Sequence, residues 1–413
     1  MTHQLLTRRA WLLLGFIGMG THALAEPLTL AEVEERAAGD PGIERFRHEA
    51  RAMEEDAVAA GELPDPQLTT ELLQFPLDRP GFQQDEMTQI QLGLRQTFPR
   101  GDSRQYRSQQ QRAQAGVKKA LAGNREKEII REARNAYLQL ILEHRRQEVL
   151  EDSRDLFENL VAMTERSSAS GMVSRQDVMR AELELERLED RILQARQRRD
   201  RAQASLARWI GDAAYRPLPD GGFPELPDWK DQDLTDHPRL AASRARIRAS
   251  DQGVALAEEA YKPEWSVQVG YGVRTNTAVA NRHRLGAMVS VDLPLFTGDR
   301  QDRRLSARQS EREAAVRHRD ETQLALEREV NAAMADLEQL RERDARYRNR
   351  LLEVANANAE AAERAYSAGT TDFTALMESR LLALETRLDS LRLTTERKQA
   401  RAQLLYLLGE DTP

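Results

Sequence analysis

The side chains that most often carry out chemistry in proteins are few and scattered in this sequence. Cysteine is absent, which excludes disulfides, thiolate metal sites and a lipid-modified N-terminal cysteine. The sequence contains no HExxH, GxSxG or phosphate-binding Walker motif. Seven histidines are present, and none has the spacing of metal ligands: His3, His22, His48, His144, His237, His283 and His318. The sequence therefore predicts no catalytic residue, no metal site and no cofactor.

Charged residues are abundant and evenly mixed along the chain. They make up 31% of the 413 residues, and the net charge is -7. Basic residues are interleaved with acidic ones and do not collect on one face, so the sequence predicts no nucleic-acid partner. Only 5% of the residues are aromatic, while Ala, Leu, Glu and Arg are frequent. This composition favours long helices with solvated outer faces over compact globular cores.

The N-terminus has the features of an export signal. Arg8 and Arg9 precede the apolar run WLLLGFIGMG, and a small-x-small cleavage site follows at Ala23 to Ala25. The apolar run is shorter than the roughly 20 residues that a spanning helix needs. We therefore predict that residues 1–25 form a signal peptide that is removed on export. The paired arginines leave both the general and the twin-arginine export routes open.

Most of the chain consists of two tandem repeats of the same sequence pattern. Pro66 and Pro263 are 197 residues apart, and Gly171 and Gly369 are 198 residues apart. Each copy contains a helix, a strand hairpin and a long helical hairpin. The predicted domains are a first repeat at 26–210, a Pro- and Gly-rich linker at 211–233, a second repeat at 234–409 and a C-terminal tail at 410–413.

Long helical hairpins are predicted at about 102–210 and about 299–408. No residue interrupts a helix between Asp102, a candidate N-cap, and about Ser168, a length of about 100 Å. Gly171 and Gly369 then allow the chain to reverse. Apolar or small residues recur at alternating spacings of three and four, which predicts a heptad seam. Before the second turn this seam is predicted at Tyr347, Leu351, Val354, Asn358, Ala361 and Ala365.

The stretch WSVQVGYGV, residues 265–273, departs from the helical pattern. Small or polar residues alternate in it with five apolar ones, Trp265, Val267, Val269, Tyr271 and Val273. A period of two predicts a half-buried strand. Similar alternation predicts β-hairpins at about 67–98 and about 264–296, with strands of about ten residues. That is the length of a tilted strand that crosses a bilayer.

Alternation alone also fits half-buried hairpins of an ordinary soluble sheet. A membrane location imposes a further requirement, because four strands cannot close a barrel and open sheet edges are not tolerated in lipid. Export together with alternation therefore predicts an oligomer whose chains share one barrel.

From Leu28 to Gly409 the chain resembles the TolC-type outer-membrane efflux proteins. The resemblance rests on the tandem repeat, the Pro-bounded hairpins and the turns ASGMVSRQDV (169–178) and AYSAGTTDF (365–373). It implies a mainly α fold in which long antiparallel helical hairpins form a tunnel through the periplasm. It also implies a homotrimer in which each chain gives four strands to a twelve-stranded β-barrel in outer-membrane lipid. Trp265, Val267, Val269, Tyr271 and Val273 would then face lipid.

The resemblance also implies a gate at the turns of the helical hairpins. Tyr366 matches the locking tyrosine of the family, Asp177 its carboxylate partner and Glu378 an acidic ring position. The sequence departs from the pattern at Thr371, where the family has a linking arginine, and at Ala375, where it has a second acidic residue. We therefore expect a looser or differently built lock. Solvated helix faces are the alternative for Asp177 and Glu378.

The implied function is conduction. The protein is expected in the bacterial cell outer membrane as the channel of a tripartite efflux system. Its expected partners are a periplasmic adaptor (membrane fusion) protein and an inner-membrane pump of the RND type. The moderate length resembles the heavy-metal branch (CzcC-like or CusC-like), while drug efflux and type I secretion stay open. A periplasmic adaptor or coiled-coil scaffold is the alternative class.

Overall fold

The structure, a computed structural model, contains two copies of one chain path. It describes residues 26–171, 173–229, 234–278 and 280–409. The predicted signal peptide at 1–25 and the predicted tail at 410–413 lie outside the described residues, as do residues 230–233 of the predicted linker.

The first copy contains five helices and two strands. These elements are α1 (Leu30–Ala37), α2 (Pro41–Gly61), β1 (Gln67–Leu73), β2 (Gln89–Phe98), α3 (Ser103–Asp152), α4 (Arg154–Ala169) and α5 (Arg175–Ile210). A 3-10 turn at Gly211–Tyr215 follows α5. At about 1.5 Å per residue, α3 alone is about 75 Å long. A pair of long antiparallel helices therefore extends far from the strands.

The second copy repeats this order from α2 onwards, and a short 3-10 helix at Leu234–Asp236 precedes it. Its elements are α6 (Pro238–Glu259), β3 (Glu264–Arg274), β4 (His283–Asp292), α7 (Gln301–Arg346), α8 (Leu352–Ser367) and α9 (Phe373–Leu408). Strand β4 ends at Asp292, so Leu293 and Leu295, which the alternation had placed in the second hairpin, lie beyond it. No helix among the described residues is both long and apolar enough to cross a bilayer.

The four strands form one antiparallel sheet in the order β1-β2-β3-β4, so the two copies meet between β2 and β3. Facing residues pair like with like across that junction: Leu92 lies opposite Tyr271, and Leu94 lies opposite Val269. Because side chains alternate between faces, one face of the sheet is apolar across all four strands. The other face carries polar side chains, and there Arg95 donates two hydrogen bonds to Gln268 Oε1, at 3.0 and 2.8 Å.

The prediction of one uninterrupted helix from Asp102 to about Ser168 was wrong. Ser153 separates α3 from α4, and its hydroxyl donates to the Val149 carbonyl at 2.8 Å. Such a bond competes with the helical ladder and bends helices. In the second copy a π-helix at Tyr347–Leu351 separates α7 from α8 at the same level. A π-turn holds one residue more than an α-turn, which accounts for the repeat offset of 197 before it and 198 after it.

Within one chain, the π-helix shifts the buried stripe of α8 away from the predicted seam. Val354 and Leu351, which the heptad pattern placed in the seam, are exposed. The buried or partly buried stripe is shifted by one position and contains Ala355, Ala359, Ala362 and Tyr366. One extra residue in the π-turn rotates every later side chain around the helix axis. A strict heptad count carried through that turn therefore selects the neighbouring face.

A buried carboxylate connects the end of α7 to α9. Asp344 is fully buried, and its Oδ2 atom lies 2.6 Å from an Arg348 guanidinium nitrogen and 3.2 Å from Arg397 Nε. The Thr394 hydroxyl donates to Asp344 Oδ1 at 2.9 Å. These contacts, the Asp344 cluster, satisfy a charge that would be costly to bury alone. They hold the π-helix against α9.

The segment between the repeats packs across the helices. Leu226 is buried in a core that also contains Tyr137 of α3 and Leu405 of α9. Lys398 of α9 forms an ion pair with Glu225 at 3.3 Å, and Arg401 binds Asp228 at 2.6 Å. Burial lowers the pKa of Lys398, and Glu225 partly offsets this effect. The predicted linker is thus attached to the helical hairpins along its described length.

Candidate functional site

Each of the two helical hairpins reverses at a glycine with a positive φ angle. Gly171 and Gly369 have φ angles of +74° and +72°, a region that residues with a Cβ rarely adopt. Each glycine follows the last helical turn, and the Thr370 N–H closes the second turn by donating to the Ala365 carbonyl at 2.9 Å. These turns, at residues 170, 171, 173 and 174 and at 368–372, together with the helix ends beside them, form the tip of the molecule.

A capping box begins α5 at the first turn. The Ser174 hydroxyl accepts a hydrogen bond from the Asp177 N–H at 3.2 Å, and Asp177 Oδ2 accepts from the Ser174 N–H at 3.1 Å. The Ser174 hydroxyl also donates to Asp177 Oδ2 at 2.7 Å. Within one chain, the carboxylate predicted to serve the gate is therefore bonded to its own helix N-terminus.

The second turn has a different cap and an aromatic pair. Asp372 begins α9 and accepts from the Ala375 N–H at 2.8 Å. The Tyr366 ring meets the buried Phe373 ring edge to face, with centroids 6.0 Å apart. Sequence reasoning missed Phe373, although it stands in the turn motif AYSAGTTDF. An aromatic residue directly after an N-cap was the available signal.

Both turns line one cavity of about 920 Å³. Three of the four predicted gate residues lie on its wall, namely Asp177, Tyr366 and Thr371. The structure therefore brings these three together from two hairpins that are far apart in sequence. Glu378 lies one turn further along α9, exposed and outside the cavity. Within the described part of the chain its carboxylate has neither an ion pair nor a hydrogen bond.

The Tyr366 hydroxyl is buried at this cavity beside the Ser167 hydroxyl, and it donates a hydrogen bond to none of the described residues. Burial raises the pKa of Tyr366; the nearby Ser167 hydroxyl opposes this shift, and the Asp177 carboxylate adds to it. The phenol therefore stays protonated at neutral pH and remains a hydrogen-bond donor. A buried donor without a partner is costly, so this group is suited to a contact that one chain does not supply.

Polar contacts hold the two hairpins together beside the cavity. Arg180 of α5 donates to the Thr374 hydroxyl of α9 at 2.5 Å. Arg191 of α5 and Glu385 of α9 form a longer ion pair at 3.5 Å, and Arg380 pairs with Glu363 within the second hairpin. Below them Leu376 and Met377 are buried against Ala181 and Leu188. The tip is thus packed internally, and the Tyr366 hydroxyl is the buried donor at the cavity that these contacts do not engage.

The predicted lipid-facing residues occupy one face of β3. Trp265, Val269 and Tyr271 are exposed, and Val267 and Val273 are partly exposed on the same side. Trp265 stacks on Phe98 of β2 with ring centroids 4.2 Å apart. On the opposite face the side-chain amide of Gln91 packs over Gly270, where a Cβ would force it to shift. The polar face is therefore filled by long polar side chains.

Among the described residues, no group of three or more His, Cys, Asp or Glu side chains could hold a metal ion. The candidate site therefore consists of hydrogen-bonding and charged groups around a cavity. Such an arrangement can link neighbouring helices or attract ions.

Solved structures with the same fold are outer-membrane channels and membrane proteins. A membrane protein from Pseudomonas aeruginosa matches with a TM-score of 0.80 and 19% identity over 92% of this chain and 90% of its own. CusC matches with a TM-score of 0.80 and 15% identity over 92% of both chains. VceC from Vibrio cholerae matches with a TM-score of 0.75 and 16% identity over 92% of this chain and 96% of its own. No curated protein sequence matches the chain.

The family match and the fold define this chain as an outer-membrane efflux protein. The profile of the outer membrane efflux protein family matches residues 33–212 and 229–410, and the chain belongs to that family. It is the outer-membrane channel component of a tripartite efflux system, with its helical hairpins in the periplasm. The predicted fold class and location are confirmed, and the alternative of an adaptor or scaffold is not favoured.

Proposed function

We propose that three copies of this chain close a twelve-stranded barrel and a helical tunnel, through which an inner-membrane pump and a periplasmic adaptor export their cargo. One observation carries the proposal: the sheet has an apolar face, a polar face and two unpaired edges, β1 and β4. In lipid each unpaired edge leaves backbone groups without partners. Pairing β4 of one chain with β1 of the next removes every edge.

The same proposal assigns the two faces of the sheet. The apolar face, which includes Trp265 and Val269, contacts lipid, and the polar face with Arg95 and Gln268 lines a water-filled lumen. The tip then lies at the periplasmic entrance. There the unpaired Tyr366 hydroxyl links to a neighbouring chain in the closed state, and docking of the adaptor breaks the link.

The proposed cargo includes cations. Glu378 is an exposed carboxylate without a partner in the described residues, and three copies around an entrance would focus a negative potential. This supports the heavy-metal branch over drug efflux and type I secretion. A pump of the RND type is the proposed energy source, as the resemblance to the heavy-metal branch implies.

Adjacent residues in the middle of β4 provide a matched test of the barrel. Ala287 lies on the apolar face opposite Val269, and Met288 lies on the polar face opposite Gln268. Ala287→Arg should reduce trimer assembly by about 2–4 kcal/mol near the bilayer midplane, whereas Met288→Arg should assemble normally. Side-chain hydropathy alone predicts the reverse order, because Met→Arg is the larger loss.

The measurement is the mass of the purified protein in detergent, combined with the yield of the trimer. A trimer for the parent and for Met288→Arg, with loss for Ala287→Arg, is the expected result. A monomer for the parent, or equal yields for the two variants, would show that the chains do not share a barrel in this orientation.

A further inference from the structure

The two copies of the chain path share a cavity of about 290 Å³ where the sheet meets the helical hairpins. Its wall contains the beginning of α3 from the first copy, together with the end of α6 and the beginning of α7 from the second. Glu264, also on the wall, lies opposite Asp292 and on the other face of the sheet from Trp265. The cavity is therefore associated with the polar face, and a ligand would reach it from water.

Positive charge predominates around this cavity. Four guanidinium groups line it, those of Arg100, Arg107, Arg300 and Arg304, and we call it the four-arginine cavity. The carboxylates that line it among the described residues are those of Glu259 and Glu264. Glu259 is already engaged, by Lys262 at 2.8 Å and by the Asp102 N–H at 2.8 Å. The cavity therefore favours an anion.

Two of the four arginines are available to bind it. Arg100 donates to the Ala260 carbonyl at 2.9 Å, and Arg300 Nε donates to Gln301 Oε1 at 3.4 Å. Arg107 and Arg304 are exposed to solvent, and the described residues offer their guanidinium groups neither a hydrogen bond nor an ion pair. These two arginines are 197 residues apart and so occupy equivalent positions in the repeat. Each copy thus supplies one uncommitted guanidinium group.

A buried hydroxyl is a second and independent indication of a ligand. Ser103, the first residue of α3, lines the cavity with 3% of its surface exposed, and its Oγ atom has no hydrogen-bond partner among the described residues. A buried polar atom without a partner costs free energy. The Asp102 side chain makes no capping hydrogen bond at this helix N-terminus, whose N–H groups carry a partial positive charge. An anionic oxygen would satisfy the hydroxyl and offset this charge.

The donors in the cavity select the chemical class of the anion. Guanidinium groups bind phosphate-like oxyanions through paired, charge-assisted hydrogen bonds, which a halide ion cannot accept in the same way. The volume also suffices, because a water molecule occupies about 30 Å³ of the liquid. We propose that the four-arginine cavity binds a water-soluble tetrahedral oxyanion, phosphate or sulfate, and that the bound anion links α3 of the first copy to α7 of the second. One chain supplies every group, so the proposal does not depend on the trimer.

Equilibrium dialysis of the purified full chain in detergent against radiolabelled inorganic phosphate tests the proposal. With the ionic strength held constant by chloride, the parent should bind phosphate saturably, with one site per chain, and sulfate should compete. Arg107→Gln with Arg304→Gln should weaken this binding by about tenfold or more, because charge-assisted hydrogen bonds are lost. Ser103→Ala should cause a smaller loss without any change in charge.

The matched control is Arg112→Gln with Arg303→Gln. Both residues are exposed, lie on the same two helices and are outside the cavity. The control removes the same charge, so general attraction to an anion should fall by a similar amount in the two double variants. Equal weakening by both would overturn the proposal, as would the absence of saturable phosphate binding to the parent.

The mass of the protein in detergent, measured on the same samples, tests a competing role for the two arginines. If Arg107→Gln with Arg304→Gln loses the trimer while the parent binds no phosphate, these arginines serve a contact between chains and the oxyanion site is overturned. Channel conductance separates this inference from the proposed function. Normal conductance of a parent that binds no phosphate refutes the oxyanion site alone, whereas saturable phosphate binding by a parent that does not conduct refutes the channel alone.

Discussion

Asp40 in the first copy and His237 in the second occupy the same position, the N-cap of a helix whose first residue is proline. Asp40 accepts from the Gly42 N–H at 2.7 Å, and His237 Nδ1 accepts from the Arg239 N–H at 3.2 Å. The backbone role is the same in both copies. The side chains differ, however, because His237 is buried and burial lowers its pKa to about 4, so the folded chain holds it neutral where an unfolded chain would protonate it.

A second contrast lies at the interruptions of the long helices. Asp344 is related by the repeat to Gln147, and Arg397 is related to Arg199. In the first copy Arg199 donates to Gln147 Oε1 at 3.0 Å, a contact with a neutral, partly exposed amide. In the second copy the same place holds the fully buried Asp344 cluster. One interruption is held by an amide and the other by a buried charge.

The two turns at the tip, one from each copy, also differ in how their polar groups are satisfied. Ser174 and Asp372 are equivalent N-caps, but only the first is part of a capping box, because Ala375 stands where the first copy has Asp177. Conversely, the second turn has the aromatic pair Tyr366 and Phe373. In all three places the first copy uses local, self-satisfied polar contacts, whereas the second contains groups that depend on burial or on a partner. We infer that the second copy carries the features that respond to conditions.

Of the predicted changes, removal of the buried Asp344 carboxylate should lower the free energy of unfolding most. Asp344→Ala leaves Arg397 and Arg348 without their shared partner and should lower the free energy of unfolding by about 3 kcal/mol. The equivalent Gln147→Ala removes one neutral acceptor and should cost under about 1 kcal/mol. Urea unfolding followed by circular dichroism measures both. Equal losses would show that the two interruptions are held in the same way.

The Asp344 cluster also marks the limit of what the sequence could predict. The tandem repeat, the strands and the turns at Gly171 and Gly369 follow from periodicity and glycine chemistry, both of which are local. The π-helix is not local in this sense, because Tyr347 to Leu351 contains no proline or glycine, and the wider turn is held by contacts to α9. The change of repeat offset from 197 to 198 was the one available signal.

At the candidate site, too, local motifs could be read from the sequence, whereas contacts between distant segments could not. The motifs were sufficient to select Asp177, Tyr366 and Thr371, which share a cavity in the structure. They could not show that Asp177 is engaged in a capping box or that Phe373 supports Tyr366, since both depend on how two turns meet in space.

The next effect is a pH dependence of stability that arises at His237 in the second copy. Burial lowers the pKa of His237 to about 4, and the positive charges of Lys127 and Arg239 act in the same direction, partly offset by the backbone of Tyr406. The unfolded chain protonates near pH 6.5 while the folded chain stays neutral, so stability falls as pH drops from 6.5 towards 4. At pH 4.5 the loss should be about 2–3 kcal/mol relative to pH 7.

His237→Asn isolates this effect. Asparagine is a good N-cap and does not titrate, so the variant should lose less stability than the parent between pH 7 and pH 4.5. Unfolding midpoints at a series of pH values measure the difference. If the curves of parent and variant stay parallel, His237 is not the source of the pH dependence, and the contrast with Asp40 has no consequence for stability.

A smaller effect is expected from the proposed link between Tyr366 and Asp177 of neighbouring chains. Tyr366→Phe should favour the open tip by about 1.5 kcal/mol, and Asp177→Ala should do the same, while the double variant should match either single one. Single-channel conductance in planar bilayers measures the open fraction. Ser174→Ala is the control, because it breaks the capping box but leaves the carboxylate in place. Additive effects of Tyr366→Phe and Asp177→Ala would mean that Asp177 acts only as a helix cap.

The smallest effect on stability, and a specific effect on conduction, is expected at Glu378. It is related by the repeat to Arg180, which is bonded to Thr374, whereas Glu378 is exposed and has no partner among the described residues. Glu378→Gln should therefore change the free energy of unfolding by less than about 0.5 kcal/mol. If three copies surround the entrance, the same variant should reduce cation selectivity and block by divalent cations, because both follow the local negative potential.

Reversal potentials in a salt gradient measure the selectivity. The control variant is Glu353→Gln, on the exposed face of α8, which removes the same charge away from the turns. A loss of selectivity shared by both variants would reflect the net charge of the tunnel, and no loss in either would leave Glu378 as a solvated helix position.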